Sequence, residues 1–190
     1  MPHDDPHDHD HHHGHGDHHG HGGGVPGQHK ARAPAYAKVY VITCSDSRTA
    51  ENDEGGRIIK SRLADRGHVI AGSAIIPDEP SRIAAELRRA RADGAQVALI
   101  TGGTGITSRD ATFEAVTAAI ARPLPGFGEL FRMLSFQEIG SAAMLSRAVA
   151  GITGDGLIVF AMPGSPAAVK LACERLILPE LGHLLEELGR

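Results

Sequence analysis

Thr101-Gly102-Gly103-Thr104-Gly105 combines the features needed to cradle an anion. Glycines let a backbone turn sharply and bring its N–H groups close to a ligand, and the hydroxyls of Thr101 and Thr104 add donors. The run follows the apolar stretch Gln96-Val-Ala-Leu-Ile100 and precedes a helical pattern, so the next helix directs its positive end to the same place. A tight strand-to-helix turn with no ligand would use the same glycines. The carboxyl end of a parallel strand, where open α/β sheets bind ligands, favours the phosphate reading. The loop is not of the Walker type, because no Gly-Lys-Ser/Thr follows. Asp110 opens the following helix, either as its N-cap or as a metal-ligating carboxylate, since magnesium takes one or two carboxylates together with phosphate oxygens. Asp78 and Glu79 supply more carboxyl groups in Pro77-Asp78-Glu79-Pro80. Adjacent parallel strands would bring Asp78 and Asp110 to one sheet edge; taken alone, the Pro-Asp-Glu-Pro segment reads as a solvated turn.

Those loops need elements to hold them. Lys38 to Cys44 reads as a buried strand ended by the polar cluster Ser45-Asp46-Ser47-Arg48. Gly56 to Arg66 has Ile58, Ile59 and Leu63 at helical spacing, with Gly67 as a stop. His68 to Ile76 is a second strand, Ser81 to Asp93 a second helix, Gln96 to Ile100 a third strand, and Ala111 to Ala121 a third helix. Gly126 to Ala142 reads as short helices broken by loops. Ala148 to Thr153 and Leu157 to Met162 flank Gly154-Asp155-Gly156, the pattern of a hairpin or strand pair near a sheet edge. Pro163-Gly164-Ser165-Pro166 starts a helix that ends near Ile177, and Pro179 to Leu188 makes a last one. Strands alternating with helices predict βαβ units and a parallel, helix-covered sheet.

Composition sets the outer bounds. A chain of 190 residues with 41% hydrophobic residues suits one domain with a single core and an appendage. Residues 1–29 are that appendage, a tail of His, Asp, Gly and Pro expected to be disordered for want of apolar side chains, with 30–190 as the domain. All of the 13 histidines except His68 and His183 lie in the tail. Imidazoles at such spacing, mixed with carboxylates, can capture nickel, zinc or copper; a plain solvated extension is the other reading. Asp4, Asp5, Asp8, Asp10 and Asp17, with no Lys or Arg before Lys30, more than account for the formal charge of −4. The domain is therefore close to neutral, and nothing in it suggests a nucleic-acid surface. Cys44 and Cys173 form neither a disulfide framework nor a zinc pattern, and read as small core residues. No run of about 18 apolar residues is present and the N-terminus has no apolar signal core, so a soluble, cytoplasmic protein without a membrane partner is expected.

Thr101 to Asp110, then Pro125-Gly-Phe-Gly-Glu-Leu-Phe-Arg132, resembles the molybdenum-cofactor biosynthesis proteins of the MoaB/Mog family. Ser45-Asp46-Ser47-Arg48-Thr49, Ser146-Arg147-Ala148 and Met162-Pro-Gly-Ser-Pro166 match the same family, in its order, over about residues 37–180. The resemblance implies a three-layer α/β/α sandwich with a mostly parallel sheet, assembled as homotrimers or homohexamers. It implies an enzyme that adenylylates molybdopterin: the pterin phosphate attacks the α-phosphorus of ATP and releases pyrophosphate, ready for a molybdenum-insertion partner protein. The nucleophile is already anionic, so such chemistry needs alignment and charge neutralisation rather than a strong base. The family's two functional acids fall on Asp78 and Asp110, which would hold Mg2+. Gly102, Gly103, Thr104 and Gly105 would hold a phosphate of nucleotide or pterin. Ser135 is a donor to pterin or a helix cap; Gly164 and Ser165 are an anion site or plain capping; Ser45, Asp46 and Arg48 line the first strand's end, with Arg48 paired to a phosphate or to Asp46. Arg109 reaches phosphate or makes a surface ion pair. Asn52-Asp53-Glu54 and Phe131 to Gly140 look more like the MoaB branch, in which some members bind GTP or ATP without turnover.

Overall fold

The computed structural model of the protein describes residues 36–189; the expected tail at 1–29 and its lead-in lie outside them. Six strands form one sheet in the order β2-β1-β3-β6-β5-β4. They are β1 (Lys38–Cys44), β2 (Val69–Ile76), β3 (Val97–Thr101), β4 (Ile120–Pro123), β5 (Val149–Thr153) and β6 (Ile158–Met162). The first three and β6 run parallel, β5 runs antiparallel to β6, and β4, antiparallel to β5, runs in the direction of the parallel strands again. Thr43 registers with Thr101 and Thr101 with Met162, so the carboxyl ends of the parallel strands line up along one edge.

The internal strands are apolar on both sides because helices cover both faces. On one face, Val39, Val41, Val97, Leu99, Ile158 and Phe160 pack with Ile59 and Leu63 of α1 (Glu54–Asp65) and Phe127 and Phe131 of α4 (Pro125–Ile139). Also on that face are α5 (Pro166–Ala172) and α6 (Leu178–Glu187). On the other, Tyr40, Ile42, Ala98, Ile100 and Val159 meet Ile83, Leu87 and Ala90 of α2 (Pro80–Ala92) and Val116 of α3 (Thr112–Ala119). This is the expected three-layer arrangement.

Two local expectations need correction. The helix read as Ala111 to Ala121 stops at Ala119, and Ile120–Pro123 forms edge strand β4 against β5. An edge is where a sheet tolerates a proline such as Pro123. Consequently the β5–β6 hairpin sits inside the sheet, with β6 between β3 and β5. Gly126 to Ala142 holds one continuous 15-residue helix, whose Phe127-Phe131-Ser135 stripe is buried, followed by a 3-10 turn at Gly140–Leu145. The final two helices stand where they were expected, with no loop between them. A wide π turn at Cys173–Ile177 leads from α5 straight into α6 and places Pro179, which has no N–H to give, in the first turn of α6.

Cys44 and Cys173 are buried and unpaired, as expected of core residues. Burial pushes each thiol up to about 12. Because only the thiolate reacts, a disulfide reagent at pH 8 is expected to label neither cysteine in the native protein and both in urea.

Candidate functional site

Four loops meet at the aligned strand ends: 45–53 after β1, 77–79 after β2, 102–111 after β3 and 163–165 after β6. The centre is the glycine loop. Gly102 and Gly103 have φ of +91° and +62°, a region that side chains disfavour. The space around them is also taken: a Cβ on Gly102 would strike the Cys44 carbonyl, and one on Gly103 would strike the Asp78 carboxylate and the Thr112 hydroxyl. A Cβ on Gly105 would stand 2.6 Å from Asp110 Oδ2. Both predicted acids therefore abut the same loop.

The two carboxylates have different surroundings. Asp78 is 7% exposed; it accepts from Thr112 Oγ1 at 2.9 Å and from the Ala111 amide at 3.3 Å. Burial raises its carboxyl above the usual range, against those hydrogen bonds, and the negative charges of Asp110 and Asp46 raise it further. Asp110 lies nearer the surface and accepts from the Thr107 hydroxyl at 2.6 Å and the Thr107 amide at 2.9 Å. The Thr107 hydroxyl, the Thr107 and Gly105 amides and the Arg147 charge hold it low, opposed by partial burial. Asp110 is not the N-cap of α3: Ala111 occupies that position, and Asp110 closes its own turn with Thr107. The amide donors at the start of α3 are already engaged, Ala111 by Asp78 and Thr112 by the Gly103 carbonyl.

Several other predicted residues come to the same place, Ser165 and Arg109 in the capping and ion-pair roles that their sequence left open. Thr101 is buried and its hydroxyl donates to the Pro163 carbonyl at 3.3 Å, so it ties β3 to the 163–165 turn. Thr104 is buried and its carbonyl accepts from Arg147. Gly164 packs onto Gly102, where a Cβ would come within 3.1 Å of the Gly102 Cα. Ser165 caps α5 through the Ala168 amide at 3.3 Å. Ser45 Oγ accepts from the Ser47 and Arg48 amides, which closes the turn after β1. Asp46 does not pair with Arg48, whose guanidinium instead donates to the Asn52 carbonyl. Its partner is Arg109, which spans the site mouth with Nε at 2.7 Å and Nη2 at 2.6 Å from Asp46 Oδ2. Ser135 is not a cap; it is 4% exposed inside α4 and makes no hydrogen bond to the glycine loop.

The sequence reading passed over three groups. Thr112 anchors Asp78 across a separation of 34 residues, its place two residues after Asp110 being the only signal in the sequence. Asp53 is a buried N-cap for α1, accepting from Gly56 N and Thr43 Oγ1, both at 2.9 Å. Arg147, quoted only as part of a motif, grips the loop from β5's side. Among the described residues no group of three or more His, Cys, Asp or Glu could hold a metal. Asp78 and Asp110 are the carboxylates at the loop that could hold a magnesium ion beside a phosphate. A cavity of about 460 Å³ lies elsewhere, between α4 and α6, and holds none of these residues. No described helix is long and apolar enough to cross a membrane.

Comparison with known proteins agrees with this geometry. The family model described as a probable molybdopterin binding domain matches residues 40–183. Molybdenum cofactor biosynthesis protein B of Halalkalibacterium halodurans is 48% identical over 164 residues, covering 85% of this chain and 95% of that protein. Its counterpart in Bacillus subtilis is 46% identical over 165 residues, covering 86% and 96%. Among solved structures, the tungsten cofactor synthesizing protein MoaB of Pyrococcus furiosus superposes with a TM-score of 0.75 at 37% identity, over 82% of this chain and 98% of that one. A MogA structure superposes at 0.71 with 26% identity, over 79% and 98%. The chain belongs to the MoaB/Mog family of molybdopterin-binding domains and takes part in molybdenum cofactor biosynthesis.

Proposed function

We propose that the protein is a molybdopterin adenylyltransferase dependent on magnesium and ATP. One observation carries the reading: two carboxylates, Asp78 and Asp110, stand against one glycine loop at positions where a side chain would collide with them. A phosphate seated on the loop would have both acids as neighbours, the setting in which magnesium is held between protein and nucleotide. In the reaction a pterin phosphate oxygen forms a bond to the α-phosphorus of ATP, the bond to the β-phosphate oxygen breaks, and pyrophosphate leaves with that electron pair. No proton need be removed from the nucleophile. The chain's task is to align two anions and offset their repulsion.

The residues divide that task. The Gly103 and Thr104 amides seat the phosphate, since the Gly102 amide is given to the Met162 carbonyl and the Gly105 amide acts on Asp110, with Asp110 and Asp78 as the Mg2+ ligands. Bound there, the ion would neutralise charge on the phosphates and on departing pyrophosphate. Arg109, held by Asp46 across the mouth, is drawn towards Glu79 and Asp78 as well. The turn at Gly164-Ser165, packed on Gly102, forms the opposite wall.

Self-association is part of the proposal. Leu130, Met133, Phe136 and Ile139 recur at every third position of α4 and are about half exposed or more, as are Met144 and Leu145. Such a continuous apolar surface marks a contact between chains, and a closed homotrimer or homohexamer would bury it.

Two measurements check these readings. Incubation with molybdopterin and Mg-ATP is expected to yield adenylylated pterin and pyrophosphate, with Asp110→Asn slowing turnover by about a hundredfold or more, the loss typical when a group aimed at developing charge is removed. Binding without product would reassign the protein as a pterin and nucleotide binder. Replacing Phe136 and Met133 together by Asp is expected to lower the sedimentation mass to that of the monomer; an unchanged mass would remove α4 from the interface.

A further inference from the structure

The loop that faces both carboxylates is itself held from outside, by Arg147. This residue lies just before β5, and its side chain is 23% exposed. Nε donates to the Thr104 carbonyl at 2.9 Å, Nη2 to the Gly105 carbonyl, and Nη1 to a carboxylate oxygen of Glu114 in α3. The guanidinium carbon also stands 4.8 Å from the centre of the Phe113 ring. Three nitrogens of one planar fork thus join the loop to α3, which the compact ammonium of a lysine has no geometry to do.

That grip has a direction. A trans peptide points its C=O and its N–H to opposite sides. With the Thr104 carbonyl turned to Arg147, the N–H of the same peptide, which belongs to Gly105, faces the other way. The Asp110 carboxylate lies against Gly105, its Oδ2 2.6 Å from where a Cβ on that residue would stand, and the Gly105 amide helps to hold its carboxyl low. Arg147 and Asp110 therefore meet the same Thr104–Gly105 segment.

We propose that Arg147 is a positioning residue: by fixing the Thr104–Gly105 peptide it sets where the Asp110 carboxylate stands, and so how tightly the loop holds a metal–nucleotide. The proposal deepens the magnesium-ATP reading of this site and rests on it. Glu114 offsets the Arg147 charge, so the guanidinium serves the loop's carbonyls rather than competing for the phosphate.

Arg147→Lys in the full-length protein is the test, with Glu114→Gln alongside and thermal unfolding as the check on folding. Calorimetric titration with ATP over a series of Mg2+ concentrations gives the half-saturating Mg2+. Arg147→Lys is expected to raise it about tenfold, the size usual when the group orienting a metal ligand is lost. ATP affinity in EDTA should stay as in the wild type, and Glu114→Gln should shift Mg2+ by less than Arg147→Lys. Amide hydrogen exchange without ligands is expected to quicken over residues 102–110 in Arg147→Lys and to stay unchanged in β3. Wild-type Mg2+ dependence in a folded Arg147→Lys would overturn the proposal, and so would an equal loss in EDTA or an equal shift in Glu114→Gln. If the wild type itself shows no Mg2+-dependent ATP binding, the magnesium-ATP reading falls. The exchange measurement then decides the grip alone, with faster exchange supporting it and unchanged exchange overturning it. Should Arg147→Lys fail to fold, Phe113→Leu removes the ring beside the guanidinium but leaves every hydrogen bond. A shift in the same direction supports the proposal, and none overturns it.

Discussion

Everything at the site depends on a shortage of space around Gly102 and Gly103. The Cys44 carbonyl, the Asp78 carboxylate and the Thr112 hydroxyl occupy the positions that Cβ atoms would need, and the backbone there runs at positive φ. Removing side chains from a strand–helix junction costs conformational entropy and core volume. In return, the loop backbone lies against Asp78 from the turn after β2 and against Asp110 further along the same loop. The crowding comes from β1, β2 and α3 at once, so the alignment of strand ends is a precondition for the loop's shape.

Bringing Asp46, Asp78 and Asp110 together gathers negative charge that the protein must offset. It does so in distinct ways. Asp46 receives both the Nε and the Nη2 of Arg109, Asp110 receives the hydroxyl and amide of Thr107, and Asp78 receives Thr112 and the first amide of α3. Asp78 is satisfied least: burial outweighs its hydrogen bonds, which leaves it the acid whose ionised form has most to gain from a cation.

Much of this was readable from residue order, for physical reasons that also explain the gaps. Apolar runs such as Lys38–Cys44 and Val97–Thr101 announce internal strands because both faces are covered, and the glycine loop and its acids announce themselves by spacing. Strand β4 was illegible since Ile120–Pro123 is short, carries a proline and exists only through pairing with β5. The single helix α4 was obscured by Pro125, Gly126 and Gly128, which look like breakers yet occupy its first turn, where helices accept them. Partner choice was harder still. That Asp46 belongs to Arg109 rather than to its near neighbour Arg48 depends on the fold bringing together residues 63 positions apart. The same distance effect hid Arg147, whose contacts to the loop span 42 and 43 residues.

The reversal of β5 and β6 within the sheet has a consequence for the order of events during synthesis. The Gly102 amide donates to the Met162 carbonyl, and β3 is completed on one side only by β6. A nascent chain that has already exposed the glycine loop and both acids therefore still lacks one wall of the site, and it continues to lack it for about another 50 residues of elongation. Ribosome-bound or C-terminally shortened chains would present Asp78 and Asp110 on an open, three-stranded edge. Competence thus arrives late and in one step, when the last parallel strand docks.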